Sequence, residues 1–139
     1  MSQDRSTFQQ LAELRLTEAR LLLDNGLPSG AYYLAGYAIE CALKARIAAE
    51  FRANEIPDKN RVNSIYTHKL VILLGLAGLK EELEANMETD ADLRESWTTI
   101  AKWTEQDRYS ICASDAAAAM LEAVEADGKG LMQWLRMRW

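Results

Sequence analysis

Four side chains with useful chemistry fall at helical spacing in the segment 28–52. They are Tyr33, Tyr37, Glu40 and Lys44. Intervals of four, three and four residues place them on one face of a helix. Glu40 precedes Lys44 by one turn, in the order that favours an ion pair. The tyrosine rings can stack on nucleic-acid bases, but aromatic side chains on an exposed face more commonly mark a protein interface.

The other two faces of this segment are apolar. One face carries alanines at positions 31, 35, 38, 42, 45 and 49, and the other carries Ile39, Leu43 and Ile47. A helix that is apolar on two sides lies at the centre of its bundle. We therefore expect a central helix that holds Glu40 outside the core, on a third face that is free to meet another molecule.

Residues typical of metal sites and of nucleophilic catalysis are scarce. The chain has a single histidine, His68, and two cysteines, Cys41 and Cys112, without paired spacing. A zinc site is therefore disfavoured, and we expect no metal or other cofactor. The sequence has no glycine-rich phosphate loop and no nucleophile elbow. We expect Cys41 to be a small buried thiol.

Composition indicates one all-α domain over residues 1–139. Hydrophobic residues make up 49% of the chain, enough for a core, and there are only two prolines. The net charge of −5 argues mildly against a non-specific nucleic-acid binder. The charge is uneven, because the range 44–69 has six basic and three acidic residues, a net charge of +3. This range is either a local basic surface or ordinary solvated charge.

The amino terminus is polar and charged, unlike a signal peptide. The longest uncharged stretch, residues 25–39, is shorter than the roughly 20 residues of a membrane span. We therefore expect a cytoplasmic protein without membrane association.

Apolar periodicity predicts an up-and-down antiparallel bundle of four to five main helices. The expected helices span about residues 7–23, 28–52, 67–79 and 91–103, and a last one runs from Ser114 towards the carboxyl terminus. The expected capping residues are Thr7, Thr67, Asp90 or Thr89, and Ser114. A short acidic extension follows the third helix, and residues 54–66 and 104–114 are expected as loops. We expect the last helix to continue through Gly128.

Three stretches resemble the HEPN domain family. They are "AYYLAGYAIECALKARI" at 31–47, "THKL" at 67–70, and the tryptophan and "RYS" within 103–110. The chain is similar over nearly its whole length to small bacterial members that stand alone or beside a partner nucleotidyltransferase. The resemblance implies a helical bundle that forms homodimers. Many members are metal-independent endoribonucleases, often in toxin–antitoxin systems, and others are inactive binding modules.

The resemblance also implies roles for individual residues. Active members use an arginine and a histidine four to six residues apart, and Arg61 and His68 have six residues between them. An acidic residue four positions before a basic one on the second helix sometimes supports that site, as Glu40 and Lys44 would here. In such a reaction the histidine exchanges a proton and the arginine binds the phosphate.

Arg108 and Tyr109 are further candidates for a ligand or interface contact, or for joining the fourth and fifth helices. Two functions stay open. The first is a dimerising module that binds a nucleotide or RNA and a nucleotidyltransferase or toxin–antitoxin partner. The acidic composition favours it. The resemblance also favours it, because the family's ribonuclease motif commonly lies later in the domain, where Arg108 is the nearest arginine and no histidine follows it. The second is a metal-independent endoribonuclease that uses Arg61 and His68, which the basic range 44–69 favours.

Overall fold

A computed structural model describes residues 4–139, and this part of the chain is an all-α helical bundle, as the composition predicts. It contains α-helices and one short 3-10 helix but no strand. The α-helices are α1 (Arg5–Asp24), α2 (Pro28–Ala48), α3 (Lys59–Ile65), α4 (Leu70–Leu76), α5 (Lys80–Thr89), α6 (Ala91–Ile100), α7 (Ser114–Glu125) and α8 (Leu131–Arg136). The 3-10 helix spans Glu105–Tyr109. The up-and-down order of the helices stays a prediction.

The predicted central position of the second helix is confirmed. Helix α2 contacts α1, α4, α7, α8 and the 3-10 helix. Both of its apolar faces are buried, apart from Ala49, which lies beyond its end. The small alanine side chains allow neighbouring helices to approach closely, and the bulkier Ile39, Leu43 and Ile47 fill the opposite side of the core. Helix α2 therefore fixes the positions of the residues on its third face, which are Tyr33, Tyr37, Glu40 and Lys44.

The ends of the first two helices differ from the predicted ones. Thr7 does not cap α1, because Asp4 precedes the helix and its side chain accepts a hydrogen bond from the Thr7 amide at 2.8 Å. Helix α2 ends at Ala48, before the predicted position 52. The predicted loop 54–66 contains α3, which Asp58 caps by accepting from the Arg61 amide at 2.9 Å. This cap satisfies one of the amide groups that the start of a helix leaves without an intrahelical partner.

The predicted helix starts and caps around α4 to α6 agree only in part with the structure. Thr67 orders the turn before α4, where its hydroxyl accepts from the Lys69 amide at 3.2 Å, but the helix itself begins at Leu70. The acidic extension is a full helix, α5. The prediction that Asp90 caps the next helix is confirmed, since its carboxylate accepts from the Leu93 amide at 3.0 Å.

The predicted continuous last helix is wrong. Gly128 has a φ of +73°, which an α-helix does not accommodate, and it separates α7 from α8. The Gly130 amide closes the turn by donating to the carbonyl oxygen of Ala126 at 2.8 Å. The predicted cap is wrong as well, because Ser114 is the first residue of α7 and Ala113 occupies the capping position.

Trp103, three residues after the end of α6, packs on α2. Its indole Nε1 donates to the carbonyl oxygen of Tyr33 at 3.1 Å, and its ring covers Gly36. A Cβ atom at position 36 would lie 2.3 Å from that ring, so the close approach requires glycine. Within residues 4–139, no helix combines the length and apolar character that a membrane span needs.

Candidate binding groove over the second helix

A groove with a cavity volume of about 770 Å³ runs along α2, within the size range of small-molecule sites. Its floor is formed by Tyr37, Glu40, Cys41, Lys44, Ile47 and Ala48 of α2. One wall is formed by Thr7, Phe8, Leu11 and Arg15 of α1. The other wall is formed by Phe51, Pro57, Val62, Ile65, Tyr66 and His68. The groove thus combines apolar walls with a few convergent polar groups.

A buried carboxylate lies in the floor of this groove. The Glu40 side chain is 3% exposed, and its Oε2 atom lies 3.4 Å from Nζ of Lys44, which is 12% exposed. The predicted ion pair is therefore confirmed. The prediction that Glu40 lies outside the core is wrong, because the chain folds a second wall over this face of α2. Burial of a lone carboxylate would be costly, and the ammonium group of Lys44 offsets part of that cost.

His68 is the second partner of this carboxylate. Its Nδ1 atom lies 3.1 Å from both Oε1 and Oε2 of Glu40, across 28 residues of sequence. Because a carboxylate paired with a lysine accepts hydrogen bonds, the Nδ1 atom carries the proton of this contact. The side chain of His68 is 50% exposed and lines the groove, so a molecule bound there can contact the ring. The contact with Glu40 orients that ring.

Arg61 is not part of this cluster. Its Nε atom donates to Oε1 of Glu50 at 3.0 Å, and its Nη2 atom donates to Glu50 and to the carbonyl oxygen of Leu76. Arg61 is also not among the residues that line the groove. The structure therefore brings together Glu40, Lys44 and His68 but turns the guanidinium of Arg61 towards a different carboxylate.

The two tyrosines are half-buried rather than free. The Tyr33 ring lies 6.0 Å from the Tyr37 ring and 5.9 Å from the Trp103 ring, measured between centroids. Tyr37 lines the groove, whereas Tyr33 does not. Burial raises the pKa of Tyr37, and the charge of Glu40 adds to that effect. Of these two tyrosines, only Tyr37 is therefore placed to contact a molecule in the groove.

Cys41 is buried as predicted, at the floor of the groove. Burial, followed by the nearby carboxylate of Glu40, raises the pKa of its thiol to about 12. A thiol is nucleophilic only as the thiolate, so Cys41 is inert at neutral pH while the groove keeps its present form.

The sequence analysis missed the contribution of α1 to the groove. Phe8, Leu11 and Arg15 recur at intervals of three and four residues, so they share one helical face. That spacing was a usable signal, but a face of two apolar residues and one arginine also fits an ordinary core edge. The Arg15 side chain is 30% exposed and forms an ion pair with Glu18.

Arg108 and Tyr109 lie elsewhere on the surface. Both are exposed, and the guanidinium of Arg108 lies 4.9 Å from the centre of the Tyr109 ring. Neither residue lines the groove. A contact between this region and α2 is made by Cys112, whose amide donates to the hydroxyl of Ser29 at 2.8 Å. A ligand or interface role for Arg108 and Tyr109 stays a prediction.

The basic range 44–69 is partly neutralised within the chain. Lys44 and Arg61 pair with glutamates, and Arg46 donates to the carbonyl oxygen of Arg138 at 2.9 Å. The remaining basic residues of this range are Arg52, Lys59 and Lys69. All three are exposed, and they form no ion pair within residues 4–139. Arg52 and Lys69 directly follow the lining residues Phe51 and His68, so unpaired positive charge flanks the groove.

Residues 4–139 contain no group of three or more histidine, cysteine, aspartate or glutamate side chains suited to a metal ion. Comparison with protein-family models, with curated proteins and with solved structures gives no match to this chain.

Proposed function

We propose that the protein is a HEPN-like dimerising module that binds a nucleotide or RNA in the groove over α2. The observation that carries this proposal is the convergence of Arg15, Lys44 and His68, together with the carboxylate of Glu40, on a groove of about 770 Å³ with mainly apolar walls. We place its action in the cytoplasm, together with a nucleotidyltransferase or toxin–antitoxin partner. The resemblance to HEPN domains supports the partner class and the homodimer.

The chemistry of the groove suits a molecule with a flat apolar part and a phosphate. Phe8, Leu11 and Tyr37 offer a surface on which a base can pack. Arg15 offers a guanidinium whose present ion pair with Glu18 is partly exposed, so that its net stabilisation is at most about 1 kcal/mol. A bound phosphate can therefore compete for Arg15. Lys44 is less available, because it already balances Glu40.

The binding proposal is tested with 5′-AMP in calorimetry and with a fluorescein-labelled single-stranded RNA in fluorescence anisotropy. Reversing the charge of Arg15 with Arg15→Glu should weaken both affinities about tenfold or more, because a charge-assisted phosphate contact is lost. Arg20→Glu is the matched control, since Arg20 lies on the same helix but pairs with Glu125 and does not line the groove. Equal weakening by both variants, or no binding by the unmodified protein at millimolar AMP and RNA, refutes the proposal.

The homodimer is tested separately by light scattering at tens of micromolar protein. A mass of twice the 15.7 kDa chain supports it, and a strict monomer at these concentrations contradicts it. Neither result affects the assignment of the groove, which is formed within one chain.

A second candidate function is metal-independent RNA cleavage, which the contact between His68 and Glu40 favours. In this reaction Nε2 of His68 removes the proton of a ribose 2′-hydroxyl. The 2′-oxygen then attacks the adjacent phosphorus, and the bond to the 5′-oxygen breaks as that oxygen takes a proton from solvent water. The products are a 2′,3′-cyclic phosphate and a 5′-hydroxyl. In this reaction Arg15 or Lys44 supplies the positive charge that binds the phosphate, because Arg61 forms an ion pair with Glu50.

RNA cleavage in the presence of EDTA tests this candidate, with His68→Ala and Arg61→Ala as the informative variants. Loss of cleavage in His68→Ala alone supports the role of His68 with a cation from the groove. Loss of cleavage in both variants supports the catalytic pair of Arg61 and His68 that the sequence predicts. Equal cleavage by His68→Ala and the unmodified protein refutes the histidine role, and no cleavage across a broad RNA panel leaves binding as the function.

A further inference from the structure

We infer that residues 51–69 form a hinged cover over the groove, held shut by Arg61 and His68. No residue from position 49 to position 69 is buried, although the chain on both sides belongs to the core. The same segment nevertheless forms one whole wall of the groove. The segment has no fully buried residue, and its apolar contact with the core is made by the partly buried Ile65, so its polar contacts contribute to whether the groove is open or closed.

The first attachment is made by Arg61, near the start of α3. Its guanidinium donates to Glu50, which follows α2, and to the carbonyl oxygen of Leu76 at the end of α4. One side chain thus joins α3 to the chain on both sides of the cover. Helix α3 itself has seven residues, none of them buried, and provides little stability of its own.

The second attachment is made by His68, at the other end of the segment. Its Nδ1 atom contacts both oxygens of Glu40 at 3.1 Å, and Glu40 belongs to the central helix. The start of α3 and the chain three residues after its end are therefore held by different elements through different groups. Between these two attachments, Val62 and Ile65 face the groove with partly buried side chains.

The cover is flanked on both sides by buried residues, which stay in place when the cover moves. Ile47 is the last buried residue before the cover and Leu70 is the first after it. Between Ile47 and the start of α3, Asn54 has a φ of +69°, in the left-handed region. Asparagine tolerates this conformation better than most residues, so the backbone can change direction there at low cost.

Opening of this cover would expose the floor of the groove, including Cys41. The thiol is 2% exposed in the closed form, and it lines the groove. Its reaction with N-ethylmaleimide therefore reports opening directly, without any ligand. The result is independent of whether the groove binds a nucleotide, so failure of the cover and failure of the binding proposal are distinguishable.

The experiment measures the labelling rate of Cys41 in a Cys112→Ser background at pH 7.5 without denaturant. Arg61→Ala should accelerate labelling about tenfold, since the hydrogen bonds that hold α3 are lost. Glu50→Gln should accelerate it in the same direction, which provides a second variant if Arg61→Ala folds poorly. Arg20→Ala is the control, because it removes an ion pair with Glu125 away from the groove and should change the rate less than twofold.

Urea separates opening of the cover from unfolding of the whole chain. Labelling through the cover should be nearly independent of urea below the unfolding transition, because little surface is exposed. The inference is overturned if labelling follows global unfolding at every urea concentration. It is also overturned if Arg61→Ala and Glu50→Gln accelerate labelling no more than Arg20→Ala does.

Discussion

The imidazole of His68 contacts both carboxylate oxygens of Glu40 at 3.1 Å, and this contact joins the only histidine of the sequence to a buried acid of the central helix. Lys44 approaches the same carboxylate to 3.4 Å. The floor of the groove therefore holds a compact cluster in which each group compensates for the burial of another. The side chains that compensate for the buried carboxylate of Glu40 therefore also line the groove.

Removal of the central carboxylate should be costly. Glu40→Ala leaves Lys44 in a mostly buried position without its partner, and we expect the free energy of unfolding to fall by about 2–4 kcal/mol. Urea unfolding followed by circular dichroism measures this loss. Glu122→Ala, at an exposed position of α7, serves as the control and should stay within about 0.5 kcal/mol of the unmodified protein. A cost for Glu40→Ala no greater than that of the control would contradict a structural role for the cluster.

A methyl group at position 36 should disrupt the contact between α2 and Trp103. The added Cβ would lie 2.3 Å from the indole ring, so Gly36→Ala should destabilise the fold by about 1–3 kcal/mol and alter tryptophan fluorescence. Gly75→Ala is a matched comparison, because nothing lies within 4 Å of its Cβ position in α4. That change should be neutral or stabilising by up to about 1 kcal/mol. Similar melting temperatures for the two variants would show that Trp103 moves aside without cost.

Alkaline solution should destabilise the protein partly through Cys41. Its thiol has a pKa of about 12 in the fold against an ordinary value of 9.0, so its contribution is complete below pH 9 and is lost as the pH rises towards 12. In that window the unfolded chain releases a proton that the folded chain retains, which lowers stability by up to about 1.4 kcal/mol per pH unit. Denaturation at pH 8, 9, 10 and 11 should therefore give a shallower decline for Cys41→Ala. Parallel declines for Cys41→Ala and the unmodified protein would rule out this contribution.

In the turn between α7 and α8, replacement of Gly128 should cost less stability than replacement of Gly130. A Cβ at position 130 would lie 2.6 Å from the carbonyl oxygen of Val124, a backbone atom that moves only with the helix, so Gly130→Ala should cost about 2–3 kcal/mol. Gly128 has open space around its Cβ position and needs only a positive φ, so Gly128→Asn should cost about 1 kcal/mol or less. Thermal unfolding of both variants provides the comparison, and a larger loss for Gly128→Asn would contradict the packing of this turn.

Local patterns were sufficient for the fold class and for the centre of the bundle. The recurrence of alanine every three or four residues from 31 to 45 indicates a helix that packs on its neighbours, and α2 is that helix. The pair formed by Glu40 and Lys44 was also predictable, because two residues one turn apart meet on any helix. The ends of helices were harder to predict. The amphipathic pattern continues across Gly128, although the positive φ of this residue ends the helix there.

The sequence by itself thus determined an all-α chain, its central helix and the pairing of side chains within that helix, since these follow from spacing along one element. Only the tertiary structure decided that Glu40 is buried, that His68 reaches it across 28 residues, and that Arg61 instead binds Glu50. The physical reason is that helical spacing sets which residues share a face but not what covers that face. Here the cover is the segment around α3, whose own residues bury too little apolar surface to leave a clear pattern.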